Sequence, residues 1–276
     1  MITVLKLGGE LLEDEAATRG AAAAIARLAA AGPLVVIHGG GRAIDAELRA
    51  RGQEPRFLDG LRITDVPALE AVVSVLAGRT NTALVAALGT VGMRAVGLTG
   101  ADAGIGRAVR AGAFTSVSGD QVDLGLVGQP RNGDVTLLHD LLRLGYLPVV
   151  ASVGADAGGG LLNVNADTLA GHLAAALGAG RLIIAGATAG VLDGQGQPID
   201  RLTPAQIDAM TASGAAHSGM IAKLAACRHA LDAGVDSVAI VAGRGAPDFG
   251  AAAGTRIEQP AADRPGSASQ AEMERR

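Results

Sequence analysis

Hydrophobic positions along this chain fall into two alternating kinds of segment. Short runs rich in Val, Ile and Leu are almost continuously apolar: ITVLKL (2–7), PLVVIH (33–38), AVGLTG (95–100), YLPVVASVG (146–154), RLIIAG (181–186) and SVAIVAG (237–243). Between them lie stretches that are apolar at helical spacing and closed by glycine, such as ATRGAAAAIARLAAAG (17–32) and ADTLAGHLAAALGAG (166–180). Strands alternating with helices predict βαβ units and a mostly parallel sheet. Strands apolar on both faces predict helices on both sides. The expected fold is α/β, a three-layer αβα sandwich around a mostly parallel central sheet.

Two polar regions break the alternation. QEPRFLDGLRIT (53–64) and GRAVRAGAFTSVSGDQVDLGLVGQP (106–130) read as turn-linked β-hairpins, expected over the ligand-bearing edge of the sheet. Residues 259–276 mix Pro, Ala, Ser, Gly and charges without apolar periodicity, the pattern of a disordered tail. Residues 1–258 therefore read as a single domain, and no internal repeat is visible.

Composition narrows the function classes. The chain has 276 residues, 49% hydrophobic and 18% charged, enough to bury a large core. Its net charge of −4 argues against non-specific binding to nucleic acid or an anionic membrane. Four aromatics (Phe57, Phe114, Tyr146 and Phe249) leave little for base stacking. Arg, Asp or Gly interrupts each long apolar stretch, so no transmembrane helix is expected. Met1-Ile2-Thr3 leads into the first strand without a secretory pattern. Cys227 is the only cysteine, so no intrachain disulfide can form, and a cytoplasmic setting is expected.

The cations carry the sharpest chemical signal. Of 23 basic residues only Lys6 and Lys223 are lysines. Lys6 interrupts the apolar strand VLKLGG; Lys223 lies about one turn into a helix expected to start at Ser218 or Gly219. A compact ammonium is not interchangeable with a planar guanidinium, so a chain that favours arginine yet keeps two lysines points to both as functional. Glycine clusters follow several strands, at Gly8-Gly9, Gly39-Gly40-Gly41, Gly100 and Gly186. In an open α/β sheet ligands bind beyond the carboxyl ends of the strands, where glycines let backbone N–H groups approach phosphate or carboxylate oxygens. One such pair reads equally well as a tight turn. Two junctions near the N-terminus, one carrying a lysine, favour an anion site.

Familiar nucleotide loops fail. GXXXXGK[ST] is absent, and the dinucleotide fingerprint breaks at Ile44. The five histidines (38, 139, 172, 217 and 229) lack zinc spacing, and His38 reads as a hydrogen-bonded structural residue. In NVNAD (163–167), Asn163 and Asn165 share one side of an extended segment and offer neutral amides for a small polar substrate. Asp167 at the following helix start reads equally as a cap.

Taken in order, KLGG (6–9), HGGG (38–41), GLRIT (60–64), NVNAD (163–167), GVLDG (190–194) and SGMIAK (218–223) resemble the amino-acid kinase superfamily, and within it the acetylglutamate kinases. The resemblance spans about residues 2–257. It implies transfer of the ATP γ-phosphoryl group to the side-chain carboxylate of N-acetyl-L-glutamate, a step of arginine biosynthesis. A carboxylate is already a nucleophile, so such catalysis is alignment and charge neutralisation. The resemblance further implies that Lys6 and Lys223 flank the transferring group while Asp167 holds both ammoniums. The amides of Gly8, Gly9, Gly40 and Gly41 would meet phosphate or the reacting carboxylate. Arg62 would pair with a substrate carboxylate, and Asn163 and Asn165 would bind the rest of the acetylamino acid.

By the same resemblance the nucleotide lies against Ala187, Thr188, Gly190, Val191 and Leu192 and against Ser218, Gly219 and Met220. Mg²⁺ is held mainly by ATP phosphates, with no protein ligand. An N-terminal lobe, about 1–180, would carry acetylglutamate and a homodimer interface; a C-terminal lobe, 181–258, would carry ATP. The direct start at the first strand implies a dimer insensitive to arginine. One departure stands out: family members usually have an acidic residue where this chain reads Gly186-Ala187-Thr188. Two alternatives remain at this stage. One is a sibling kinase acting on another acyl acceptor, such as carrier-linked aminoadipate; the other is a non-catalytic ligand-sensing domain of the same fold.

Overall fold

In the computed structural model of the chain, the described residues are 1–115, 119, 121–216 and 218–258. The tail expected at 259–276 falls outside them, as does His217. Eight strands form the central sheet, in the order Arg201–Leu202, Gly254–Ile257, Ser237–Ala242, Arg181–Gly186, Thr3–Leu7, Leu34–His38, Leu147–Ala151 and Ala95–Thr99. The last six run parallel; Gly254–Ile257 pairs antiparallel with Ser237–Ala242, and the short edge strand Arg201–Leu202 pairs with it in turn. Sequence patterning missed both of these short strands, which lack a continuous apolar run.

Each parallel strand sends alternate residues to opposite layers. Val4, Ile37, Val150 and Ile184 pack with helices Ala166–Ala176 and Ser218–Asp232. Leu5, Leu7, Val36 and Ile183 pack with Glu15–Ala29 and Asn81–Thr90 on the other side. The result is the expected three-layer αβα sandwich. Lys6 shares the parity of Val4, so its stem points into the layer built by the 166–176 and 218–232 helices. Strand register thus decides which helices the lysine can meet.

Residues 146–154 are not one strand, as the apolar run had predicted. Leu147–Ala151 stays in the central sheet, where Ser152 N–H donates to His38 O at 3.3 Å. The chain then crosses into a second, four-stranded sheet as Val153–Ala155, beside Leu161–Val164, Val127–Pro130 and Ala108–Arg110. A hairpin of Ala113–Thr115 and Gln121–Asp123 extends the same region, and Phe57–Leu58 pairs with Leu61–Arg62. In that last hairpin Asp59 and Gly60 have φ of 46° and 80°, both left-handed, as a two-residue turn matched to strand twist requires.

One run is longer than the patterning suggested. Val66–Thr90 is continuously helical, passing through a π-helical turn at Ser74–Thr80, and by length and composition alone could cross a membrane. Its packing is that of a core element. Asn81, 4% exposed, donates through Nδ2 toward Leu98 O (3.2 Å), Val149 O (3.1 Å) and His38 Nε2 (3.1 Å), pinning the helix to three strands.

Candidate active site

The two lysines meet at one carboxylate. Lys6 Nζ lies 2.9 Å from Asp167 Oδ1, and Lys223 Nζ lies 3.1 Å from Asp167 Oδ2. Lys6 rides at the carboxyl end of the first strand, Asp167 in the first turn of Ala166–Ala176, and Lys223 in the second turn of Ser218–Asp232. These two helices pack closely enough that a Cβ on Gly171 would meet Ala226 O at 2.8 Å. Asp167 is not the helix cap. Asn165 is: its Oδ1 accepts from Thr168 N–H at 3.0 Å. Capping by Asn165 leaves the Asp167 carboxylate for the lysines.

Burial pushes the Asp167 carboxyl upward, but the ammoniums of Lys6 and Lys223 outweigh it and hold the group below its ordinary range. The carboxylate is thus ionised at neutral pH, with two cations balanced on one anion. Neighbouring Cys227 is fully buried, and burial together with Asp167 pushes its thiol far up, so it is inert.

Beside Lys6 and Asp167 lies a cleft of about 220 Å³, bordered by Gly9, Gly39, Gly40, Gly41, Arg62, Asn163 and Asn165. The two glycine turns touch: a Cβ on Gly9 would stand 2.6 Å from Gly40 Cα, so neither backbone could approach with a side chain there. Gly40 precedes helix Gly41–Ala50, whose first N–H groups have no intrahelical acceptor. Gly8 is different: its N–H donates to Ala185 O at 2.8 Å. That amide is committed to the sheet rather than open to a phosphate.

Arg62 is 8% exposed, its guanidinium 2.6 Å from Asp45 Oδ1, 3.1 Å from Gly41 O and stacked 4.6 Å from the Phe57 ring centroid. Its Nη1 is buried without a hydrogen-bond partner. Asn163 Nδ2 donates to Thr64 Oγ1 at 3.0 Å, and Thr64 Oγ1 donates to Arg62 O at 3.0 Å, tying NVNAD to GLRIT. His38 is wholly buried; Nδ1–H donates to Gly39 O at 3.3 Å, leaving Nε2 to accept from Asn81. Burial lowers its pKa to about 4, so the ring is a neutral structural bridge.

Ala187 and Thr188 are exposed at the end of strand Arg181–Gly186, and Leu192 is exposed beyond them. Gly219 is exposed and Met220 half-buried where helix Ser218–Asp232 begins. Val191 lies beneath this surface. It is 1% exposed, and its N–H donates to Thr255 Oγ1 at 2.7 Å, close against Gly190.

Sequence reasoning missed Glu10. Its Oε1 accepts from Ala187 N–H at 2.9 Å, reaching across the Gly8-Gly9 turn. A carboxylate therefore stands against the Gly186-Ala187-Thr188 segment, supplied by another element. The available signal was the acid directly after Lys6-Leu7-Gly8-Gly9, out of place beside an anion-binding turn.

The model of the amino acid kinase family matches residues 1–242. An acetylglutamate kinase of Erythrobacter litoralis is 42% identical over 246 residues, covering 87% of this chain and 82% of the relative. A solved structure from Streptococcus mutans aligns with a TM-score of 0.77 at 26% identity, over 93% of this chain and 98% of the other. A carbamate kinase from Giardia lamblia aligns with a TM-score of 0.67 at 16% identity, over 94% and 98%, a likeness of fold. With its sheet order, paired lysines and glycine turns, the chain belongs to the amino acid kinase family.

Proposed function

We propose that the chain phosphorylates the side-chain carboxylate of N-acetyl-L-glutamate with ATP, forming N-acetyl-L-glutamyl 5-phosphate. The observation that carries the reading is the pair of lysines held by one buried carboxylate, set between a glycine-walled cleft and an exposed strand-end loop. Acetylglutamate occupies the cleft. Arg62 offers a buried, unpaired Nη1 to one of its carboxylates, and Asn163 meets the acetylamino group. Asn165 acts chiefly by starting the helix that delivers Asp167.

ATP lies against Ala187, Thr188 and Leu192 and the start of the helix carrying Ser218, Gly219 and Met220. Its γ-phosphoryl group meets Lys6 and Lys223 from two sides. The nucleophile needs no base, so the enzyme's task is to hold two anions together. Lys6 and Lys223 neutralise charge on the phosphoryl oxygens as the bond to the leaving ADP lengthens, and the amides of Gly9, Gly40 and Gly41 steady the acceptor carboxylate. Asp167 keeps both ammoniums in place without touching substrate.

Mg²⁺ would arrive as an ion carried by the nucleotide, neutralising phosphate charge when bound; Glu10 is a nearby carboxylate with no lysine partner among the described residues. The molecule works as a homodimer in the cytoplasm, with acetylglutamate on residues 1–180 and nucleotide on 181–258. The seam between these lobes is internal to the central sheet, since Thr3–Leu7 pairs with Arg181–Gly186.

ADP release is measured with N-acetylglutamate, glutamate, aspartate, carbamate and UMP as acceptors. Turnover specific to N-acetylglutamate is expected. Preference for another acceptor overturns the substrate assignment, and no turnover with any of them overturns the enzymatic one.

A further inference from the structure

We propose that Glu10 makes the nucleotide site select metal-complexed ATP over metal-free ATP. The inference rests on the kinase reading above and concerns Glu10, which borders the cleft beside Lys6 and reaches from it to the strand-end loop at Ala187. Glu10 Oε1 accepts from Ala187 N–H at 2.9 Å. Gly186 is pinched in the same place: a Cβ there would lie 3.1 Å from Glu10 Oε1 and 4.0 Å from Lys223 Cε. The carboxylate and the stem of the catalytic ammonium are thus neighbours across one glycine. A Cβ on Gly8 would also collide with the Glu10 carboxylate, so the glycine turn makes room for it.

No cation of the described residues lies within ion-pair distance of Glu10, whereas both oxygens of Asp167 are matched by lysines. An uncompensated carboxylate at the phosphate end of a nucleotide site has a definite electrostatic sign. It repels a bare triphosphate and attracts a nucleotide whose phosphates carry a divalent cation. Its hard oxygen donor also suits Mg²⁺, which favours one or two carboxylates together with phosphate and water. Without nucleotide, the same carboxylate satisfies Ala187 N–H, as an anion would. With the complexed nucleotide bound, the Glu10 carboxylate would face its cation and supply a hard oxygen donor.

Binding of ATP by calorimetry, once in excess EDTA and once in excess Mg²⁺, tests this without turnover. Glu10→Gln keeps an oxygen acceptor for Ala187 N–H and removes only the charge; Glu10→Asp keeps the charge on a shorter stem. The ratio of metal-free to metal-bound dissociation constants is expected to fall at least tenfold in Glu10→Gln, largely through tighter metal-free binding. It should stay within about threefold of the parent in Glu10→Asp. A ratio unchanged in Glu10→Gln, with melting temperature preserved, overturns the inference while leaving the kinase reading intact. A parent protein that binds neither form overturns both.

Discussion

Replacing Asp167 by Asn tests whether one carboxylate holds the catalytic cations. The side chain is isosteric, so the perturbation is the loss of one negative charge between two ammoniums at 2.9 and 3.1 Å. At an effective dielectric of about 20, a unit charge about 3 Å away attracts by roughly 5 kcal/mol. Desolvation cancels most of this in the native protein. After substitution nothing offsets the desolvation, and the buried Lys6 and half-buried Lys223 ammoniums are left without their anion. Removing one partner of a buried pair costs about 3–5 kcal/mol, against a total stability of about 5–15 kcal/mol for a folded domain. Urea unfolding followed by circular dichroism should therefore show Asp167→Asn less stable by about 3–5 kcal/mol, with an unchanged slope. Adding Lys6→Met should restore part of that loss, since it removes one stranded cation. The kcat should fall by at least about 100-fold, because neither ammonium is then aimed. A stability loss under about 1 kcal/mol, or an unchanged kcat, would refute the reasoning.

Further outcomes follow from the same geometry. Lys6→Arg and Lys223→Arg should each lower kcat by about 100-fold or more in steady-state assays, since a guanidinium cannot replace an ammonium at these distances. Gly9→Ala should disable the site and lower the melting temperature, because its Cβ would meet Gly40 Cα at 2.6 Å and both partners are backbone. Arg62→Lys should raise KM for the acyl acceptor at least tenfold with KM for ATP little changed. His38 binds its proton with a pKa lowered from 6.5 to about 4, so the unfolded chain takes up more protons between those values. Stability should fall as pH drops through that window, by up to about 3 kcal/mol for a fully buried ring, and His38→Asn should shrink the dependence, leaving the part due to His172, whose pKa burial also lowers to about 4. The low-lying Asp167 acts at the acid end: its contribution is present above the unfolded carboxyl value and is lost as pH falls through the native one.

Much of this fold was legible because the sheet is nearly parallel and covered on both faces. Runs such as RLIIAG and PLVVIH can bury both sides only in such a sheet, and each lies on the expected strand. The same continuity hid the break after Ser152, since Val153 is as apolar as Val150; the change of sheet follows from close backbone contacts at Gly154, which patterning does not register. The lysine pair was legible from scarcity: a chain with so much arginine kept ammoniums at two places only. The roles of Asn165 and Asp167 were not separable in sequence. Both stand at a helix start, and only the fold shows which side chain turns back to the backbone and which points to the lysines. Glu10 escaped because its partner, Ala187, lies 177 residues away.

The central claim is that a carboxylate is phosphorylated between Lys6 and Lys223. Capture with hydroxylamine tests it most directly, because an acyl phosphate yields a hydroxamate and other phosphoryl products do not. Incubation with ATP, Mg²⁺ and N-acetylglutamate should give the side-chain hydroxamate in step with ADP, and Lys223→Arg should give almost none. ADP formed without hydroxamate, or hydroxamate formed undiminished by Lys223→Arg, would contradict the account.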